Sequence, residues 1–145
     1  MAAANRVFVG SMANVPTRKA SVVGITFTKA RLSNPRRPDI AAIEIELLVD
    51  SGAFFSVVPA SILEGLGVAR KHRQEFTLAD GTHVAYDVGE VTFAVGDLDA
   101  TSNVVFAPEG VTPLLGVVAL ESLALMLNPV TRELLPMRLF LARAS

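Results

Sequence analysis

The chain contains no cysteine, and it has only two histidines, His72 and His83, among its 145 residues. The absence of cysteine excludes a disulfide framework, a thiol nucleophile and a thiolate metal site, and it fits a protein of the reducing cytoplasm. Two histidines leave little for a histidine-based metal centre. We therefore expect neither a metal nor an organic cofactor.

The chain also lacks an excess of charge of one sign and a long uninterrupted apolar run. Its 13 Lys and Arg residues nearly balance its 14 Asp and Glu residues, which leaves no electrostatic footprint for nucleic acid or an anionic membrane. The longest apolar stretch, Leu114 to Leu127, is broken by Gly116, Glu121 and Ser122. It falls short of the roughly 20 residues that a spanning helix needs. Neither nucleic acid nor a membrane is an expected partner.

What the chain has in quantity is apolar residues, which make up 51% of it, with a mean hydropathy of +0.47. Its length suits a single domain with a sizeable core. The expected organisation is a loose N-terminal arm over residues 1–20 and one domain over residues 21–145. The apolar excess indicates either an unusually large core or apolar surface that a partner covers.

The most informative segment is Leu47-Leu48-Val49-Asp50-Ser51-Gly52-Ala53, which Phe54-Phe55-Ser56-Val57-Val58-Pro59 follows at once. An apolar strand runs into an acid, a hydroxyl and a glycine, and apolar sequence then resumes. Asp50 stands where no surface loop is signalled, and a buried carboxylate is costly unless something holds or uses it. Asp50 is therefore the first candidate for chemistry.

The rest of the chain reads mainly as strands, with one or two short helices. Alternating or continuous apolar residues predict strands near 25–32, 43–49, 76–78, 84–88, 91–95, 104–106 and 134–141. Helices are predicted from Pro59 to Leu66 and from Val117 to Leu125. Between two of the strands, Ala79-Asp80-Gly81-Thr82 predicts a hairpin, because Asp-Gly tolerates the positive φ values of tight turns.

A faint internal repeat relates two parts of the chain. The apolar segment that ends at Gly52 leads into one short helix, and the segment Thr112-Pro113-Leu114-Leu115-Gly116 leads into the other. Only the first of the two carries an acid at its turn.

At these residues the chain resembles the retropepsin-like aspartic proteases, especially the small bacterial single-domain members. The matching pieces are Asp50-Ser51-Gly52-Ala53, Ser56-Val57-Val58-Pro59, the flap-like hairpin at Ala79-Asp80-Gly81-Thr82, Leu114-Leu115-Gly116 and Asn128-Pro129. The resemblance implies a mainly β, single-lobe, retropepsin-like acid protease barrel that functions as a homodimer.

The resemblance also implies a reaction, the hydrolysis of peptide bonds in a peptide or protein substrate. Two adjacent carboxyl groups that share one proton can activate a water and protonate the carbonyl oxygen, because both cannot easily ionise side by side. This chain has one such loop, so the second carboxylate would come from Asp50 of a second copy at the two-fold axis.

Roles for the neighbouring residues follow from the same resemblance. Ser51 would hydrogen-bond across the dimer, and Gly52 and Ala53 would complete the active-site loop. Leu114, Leu115 and Gly116 would support that loop from behind. The hairpin tip at Ala79, Asp80, Gly81 and Thr82 would close over the substrate, while Phe54, Phe55 and Tyr86 would line apolar subsites.

Other interpretations stand beside these. The domain is alternatively a catalytically weak dimerisation or peptide-binding module, for which loss of Asp50 would not matter. An acid-pair hydrolase of another class, such as a glycosidase, would need a second buried acid that the chain does not offer. Ser56 is interpreted as a buried hydrogen-bonding residue, Asp80 as a turn residue, and Glu109 as a surface charge.

Overall fold

The structure is a computed structural model that describes residues 15, 17–19 and 24–138. Within these residues the chain forms ten strands and two short helices. In chain order they are β1 (Arg18–Lys19), β2 (Thr26–Ser33), β3 (Ile43–Val49), β4 (Ser56–Pro59), α1 (Ala60–Gly65), β5 (His72–Thr77), β6 (His83–Val95), β7 (Leu98–Ala107), β8 (Leu114–Leu115), α2 (Val117–Ser122), β9 (Leu125–Leu127) and β10 (Leu134–Pro136). The prediction of a mainly β chain with one or two short helices is confirmed, and there are two in the described residues.

The first eight strands form one sheet in the order β1-β2-β3-β8-β4-β7-β6-β5. Residues 31–33 of β2 also pair antiparallel with residues 92–94 of β6, and this second pairing closes part of the sheet on itself. β9 and β10 pair with each other in a separate two-stranded sheet. The architecture is that of a single barrel-like lobe.

Apolar side chains from six of the eight strands, all but β1 and β5, fill the interior, as the alternation in the sequence predicts. Those with no solvent exposure include Leu32, Leu47, Val58, Phe93, Val104 and Leu115. The helices add Leu63 from α1 and Leu120 from α2 to the same core. Both helices therefore pack on the barrel and follow directly from its strands.

The segment from 83 to 95 is one continuous strand, where the sequence predicted two. The apolar positions change parity near Gly89, from Val84 and Tyr86 on one side to Val91 and Phe93 on the other. A Cβ at Gly89 would lie 2.6 Å from the Ala69 carbonyl oxygen, so only glycine permits the chain to pass so closely there. The first half of β6 pairs with β5 and the second half with β7, which explains the two patterns.

Both helices are shorter than predicted. α1 begins at Ala60, with Pro59 as its N-cap rather than in its first turn, and it ends before Gly67, which has the positive φ expected of a helix stop. α2 ends at Ser122 instead of Leu125, since Ala124 adopts a φ of 57°. The residues that follow it become β9, which the predicted stop at Asn128 then ends.

The first long strand buries its threonines rather than its aromatic residue. Thr26 and Thr28 are essentially unexposed, while Phe27 lies half-exposed on the outer face under the Arg18 guanidinium, 4.2 Å from the ring centre. The Thr26 hydroxyl donates a 3.1 Å hydrogen bond to the carbonyl of Arg132, which satisfies the buried polar group. Alternation alone indicates a strand but does not decide which face turns inward.

The ends of the chain lie largely outside the described residues. Of the expected arm over residues 1–20, the structure describes Val15 and residues 17–19, and β1 pairs with β2. The expected arm and domain boundary stays a prediction, and the expected strand beyond Arg138 falls outside the described residues. Neither helix in the described part of the chain is long and apolar enough to cross a membrane.

Candidate functional site

The Asp50 loop, residues 50–55, connects β3 to β4 where β3 runs parallel to β8. The Asp50 amide donates a 3.0 Å hydrogen bond to the Leu115 carbonyl, which extends the β3–β8 pairing beyond the last residue of β3. The Asp50 carbonyl accepts a 3.2 Å hydrogen bond from the Ala53 amide. The backbone of the acidic residue is therefore fixed on both sides.

The Asp50 carboxylate is oriented by the backbone of its own loop. Its Oδ1 accepts a 2.9 Å hydrogen bond from the Gly52 amide, and a Cβ at Gly52 would lie 3.2 Å from the same oxygen. Glycine thus permits the close approach. Asp50 is half-buried in the single chain rather than fully buried as the sequence suggested, because it faces an open cleft.

The turn between β8 and α2 lies directly behind the Asp50 loop. The amides of Val117 and Val118 donate to the carbonyls of Ala53 and Phe54, at 2.8 and 3.1 Å. The Gly116 amide donates a 3.0 Å hydrogen bond to the hydroxyl of Ser56, whose side chain has no solvent exposure. The two halves of the faint repeat are thus hydrogen-bonded to each other. The interpretation of Ser56 as a buried hydrogen-bonding residue is confirmed.

The hairpin between β5 and β6 turns at residues 78–82, as predicted. The Leu78 amide donates to the Thr82 carbonyl at 2.8 Å, and Gly81 adopts a φ of 86°. The Asp80 carboxylate accepts a 2.9 Å hydrogen bond from the Thr82 amide, which confirms it as a turn residue. Hydrogen bonding from the Thr82 side chain and amide lowers the pKa of the Asp80 carboxyl.

A cleft of about 640 Å³ lies between the Asp50 loop and the β5–β6 hairpin. Eight of the residues singled out from the sequence line it: Asp50, Gly52, Ala53, Phe54, Phe55, Ala79, Tyr86 and Leu114. Other residues from the same set lie outside its lining: Ser51, Asp80, Gly81, Thr82, Leu115 and Gly116. The acid and the aromatic residues are therefore brought together, while of the hairpin tip only Ala79 reaches the cleft lining.

Aromatic side chains connect the Asp50 loop to the hairpin. The ring centroids of Phe54 and Phe55 lie 5.0 Å apart. The rings of Phe55 and Phe76 meet edge to face, with their centroids 6.1 Å apart. Phe54 is 66% exposed and lines the cleft, so it is not a core residue. Phe55 and Tyr86 are half-buried in the same cleft.

Sequence reasoning missed one side of the cleft altogether. Val105, Ala107, Pro108 and Val111 line it, from the end of β7 and the loop that follows. Val105 stood within a predicted strand, but nothing local marked that strand as facing the acid. These residues come together with Asp50 because β4 lies between β7 and β8 in the sheet.

The lining of the cleft is mainly apolar, and Asp50 is its one carboxylate among the residues that the structure describes. Apolar surroundings strengthen the electrostatic effect of a single charged group. Among residues 15, 17–19 and 24–138, no group of three or more His, Asp or Glu side chains is placed to hold a metal ion.

Comparison with known families gives one match. A family model described as aspartyl protease matches residues 39–118, more than half of the chain, and that range includes the Asp50 loop, the β5–β6 hairpin and the turn into α2. No curated protein matches the chain. The match and the arrangement of these elements identify the chain as a member of the retropepsin-like aspartyl protease family.

Proposed function

We propose that the protein is an aspartic endopeptidase in which two Asp50 carboxylates, one from each of two copies, activate a water for attack on a peptide bond. The observation that carries the proposal is the location of Asp50 in an apolar cleft that the β5–β6 hairpin also lines. Its carboxylate is oriented by the hydrogen bond from the Gly52 amide.

The proposal calls for a second copy because the described residues place no other carboxylate in the lining of the cleft. Hydrolysis through an activated water needs one carboxylate as the base and one carboxylic acid as the proton donor. Two Asp50 side chains at a two-fold axis share one proton and divide these roles, and they titrate as a pair.

The neighbouring residues support the same proposal. Ser51 is exposed beside Asp50, so its hydroxyl is accessible to a second copy of the loop. The outer edge of β5 has no partner strand among the described residues, and an extended substrate can add to a hairpin edge by backbone hydrogen bonds. Phe54, Phe55 and Tyr86 then offer apolar contacts to the substrate side chains.

Cleavage of a diverse peptide mixture from about pH 4 to 7 tests the proposal, because carboxylate pairs act in this range. Wild type is compared with Asp50→Asn at equal dimer content, measured by sedimentation. Asparagine keeps the size of the side chain but neither shares the proton nor acts as a base. We expect cleavage by wild type alone.

Two results would contradict the proposal. Equal cleavage by wild type and Asp50→Asn would remove Asp50 from the reaction. No cleavage by either protein, with a stable dimer present, would favour a peptide-binding module with little turnover.

A further inference from the structure

We infer that Glu109 is a positioning residue for the peptide cleft, because its carboxylate fastens one wall of that cleft to the first turn of α1. The wall loop, residues 108–111, contributes Pro108 and Val111 to the cleft lining, one on each side of Glu109 in the chain. The inference rests on the proposed function, since it holds that the Glu109 contact contributes to the selectivity of the cleft for particular substrate side chains. It replaces the interpretation of Glu109 as a plain surface charge.

The contact joins two segments that are 48 residues apart in the chain. Oε1 of Glu109 accepts a 2.7 Å hydrogen bond from the Ser61 hydroxyl, and Oε2 accepts a 3.2 Å hydrogen bond from the Ser61 amide. The N-cap of α1 is Pro59, which provides no side-chain cap. Glu109 therefore supplies from another segment the acceptor that the first amides of a helix need.

The wall loop has little else to hold it. Its internal backbone hydrogen bond, from the Val111 amide to the Pro108 carbonyl, is long at 3.4 Å. Gly110 adopts a φ of 88°, and a Cβ there would meet nothing within 4 Å. Pro108, Glu109, Gly110 and Val111 are all exposed, so packing does not fix the loop. The two hydrogen bonds to Ser61 are its best polar attachment within the described residues.

The chemistry of the contact favours a lasting attachment. Hydrogen bonding from the Ser61 side chain and amide lowers the pKa of the Glu109 carboxyl, which keeps it ionised and acceptor-only at neutral pH. A carboxylate bound by a hydroxyl and an amide of one residue has little freedom to swing away. The position of Val111 across the cleft is thereby set.

A wall in a set position discriminates between substrate side chains by size. A branched side chain such as Leu fills the space against Val111, whereas Ala leaves a gap and loses those contacts. If the wall loop is free to move, Val111 can approach the smaller Ala side chain and restore some of its contacts. The difference in binding free energy between the Leu and Ala peptides then becomes smaller. Glu109 thus contributes to the preference for large over small apolar side chains.

The test compares Glu109→Ala, Ser61→Ala, the double variant and Glu109→Gln in the full-length chain. The matched control is Glu121→Ala, which removes an exposed carboxylate that has no hydrogen bond or ion pair within the described part of the chain. One readout is the methyl NMR signal of Val111 without peptide. The other is the ratio of the dissociation constants of two peptides, both measured in the Asp50→Asn background so that turnover plays no part.

The peptides are an alternating Leu-Ser chain free of Tyr and Trp and the same chain with Ala for every Leu. The protein has one tyrosine and no tryptophan, and that tyrosine, Tyr86, lines the cleft, so its fluorescence reports binding directly. We expect the Leu-over-Ala ratio to fall about threefold or more in Glu109→Ala and Ser61→Ala, which is the scale of one polar contact. The double variant should fall no further, and Glu109→Gln should recover part of the loss.

A shifted Val111 signal together with the lower ratio supports the inference. An unchanged ratio, an unmoved Val111 signal, or an equal effect of Glu121→Ala overturns it. The outcome is separate from that of the cleavage experiment: wild-type cleavage with an unchanged ratio contradicts the role of Glu109 alone. A lower ratio without Asp50-dependent cleavage contradicts the proposed hydrolysis alone.

Discussion

At the scale of single residues, the turn behind the Asp50 loop depends on a close backbone approach at Gly116. A Cβ at this position would lie 2.6 to 2.9 Å from three backbone atoms of Phe55 and Ser56. Backbone atoms cannot swing aside as the end of a flexible side chain can, so the Asp50 loop itself would have to shift. The glycine is needed for space, since its φ of −91° is open to any residue.

We therefore expect Gly116→Ala to lower the free energy of unfolding by about 1–3 kcal/mol, as overpacking typically does. Urea unfolding measures this change. Gly65→Ala is the matched control, because a Cβ there meets nothing within 4 Å and the residue lies in α1. That control should be neutral or more stable by up to about 1 kcal/mol, since alanine favours helix. Equal destabilisation by both changes would contradict the close approach.

A second residue-scale expectation concerns two buried serines. The Ser56 hydroxyl accepts the hydrogen bond of the Gly116 amide, whereas the buried Ser102 hydroxyl has no hydrogen-bond partner within the described residues. Ser56→Ala should cost about 1–3 kcal/mol of unfolding free energy, because it leaves a buried amide unsatisfied. Ser102→Ala should lower the free energy of unfolding by less than Ser56→Ala does, or should raise it. Thermal and urea unfolding of the pair check this, and the reverse order would contradict it.

At the scale of elements, Arg70 connects α1 to the base of the β5–β6 hairpin. Its guanidinium donates to Glu64 of α1 at 2.7 Å and to Asp87 of β6 at 2.8 Å, and it stacks 4.4 Å over the ring of Phe106. Asp87 also pairs with Arg73 of β5 at 3.5 Å. Asp87 is one residue from Tyr86 of the cleft, so this cluster holds the base of the hairpin that lines the cleft.

The Asp87 cluster has a consequence for stability in acid. The hydrogen bond from Arg70 lowers the pKa of the Asp87 carboxyl below its ordinary value. A carboxyl with a lowered pKa in the folded state stabilises the fold fully above its ordinary pKa and loses that effect as the pH falls through the lowered value. The stability that Asp87 provides should thus be present at neutral pH and disappear in acid.

We expect Asp87→Asn to be less stable than wild type near pH 7 and to approach it as the pH falls below about 4. Urea unfolding at a series of pH values measures the difference. Asp99→Asn is the control, because the Asp99 carboxylate is exposed and has no hydrogen bond or ion pair in the described ranges. A difference from wild type that is constant with pH, or that matches the control, would contradict the expectation.

Elements with strong local signals were predictable from the sequence. The alternation from Ile43 to Leu47, the Asp80-Gly81 turn and the stop at Gly67 depend on neighbouring residues, and each lies where predicted. The Asp50 loop was predictable for the same reason, since an acid between two apolar runs can be recognised from the local sequence alone.

The parts that could not be predicted depend on contacts between distant segments. Gly89 lies inside one strand because the chain at Ala69 passes beside it. In the sequence Glu109 cannot be distinguished from any other exposed acid, because its hydrogen-bond partner Ser61 lies 48 residues away in the chain. The Val111 side of the cleft likewise exists only because the sheet brings β7 close to β8 by way of β4.

At the scale of the whole molecule, the single chain leaves apolar surface uncovered around its cleft. Phe54, Leu78 and Val111 are among the large apolar side chains most exposed to solvent, and all three line the cleft. A bound peptide or a second copy would cover such a surface. Each chain supplies one Asp50, which is half of the proposed carboxylate pair. The active form that we propose is therefore a dimer of this chain.

The most direct measurement mixes wild-type and Asp50→Asn chains, unfolds and refolds them together, and follows peptide cleavage as a function of the wild-type fraction. If both Asp50 side chains are needed, activity falls as the square of that fraction, to about one quarter in an equal mixture. If each chain acts alone, activity falls in proportion, to about one half. We expect the quadratic curve, and a linear one would contradict the shared active site.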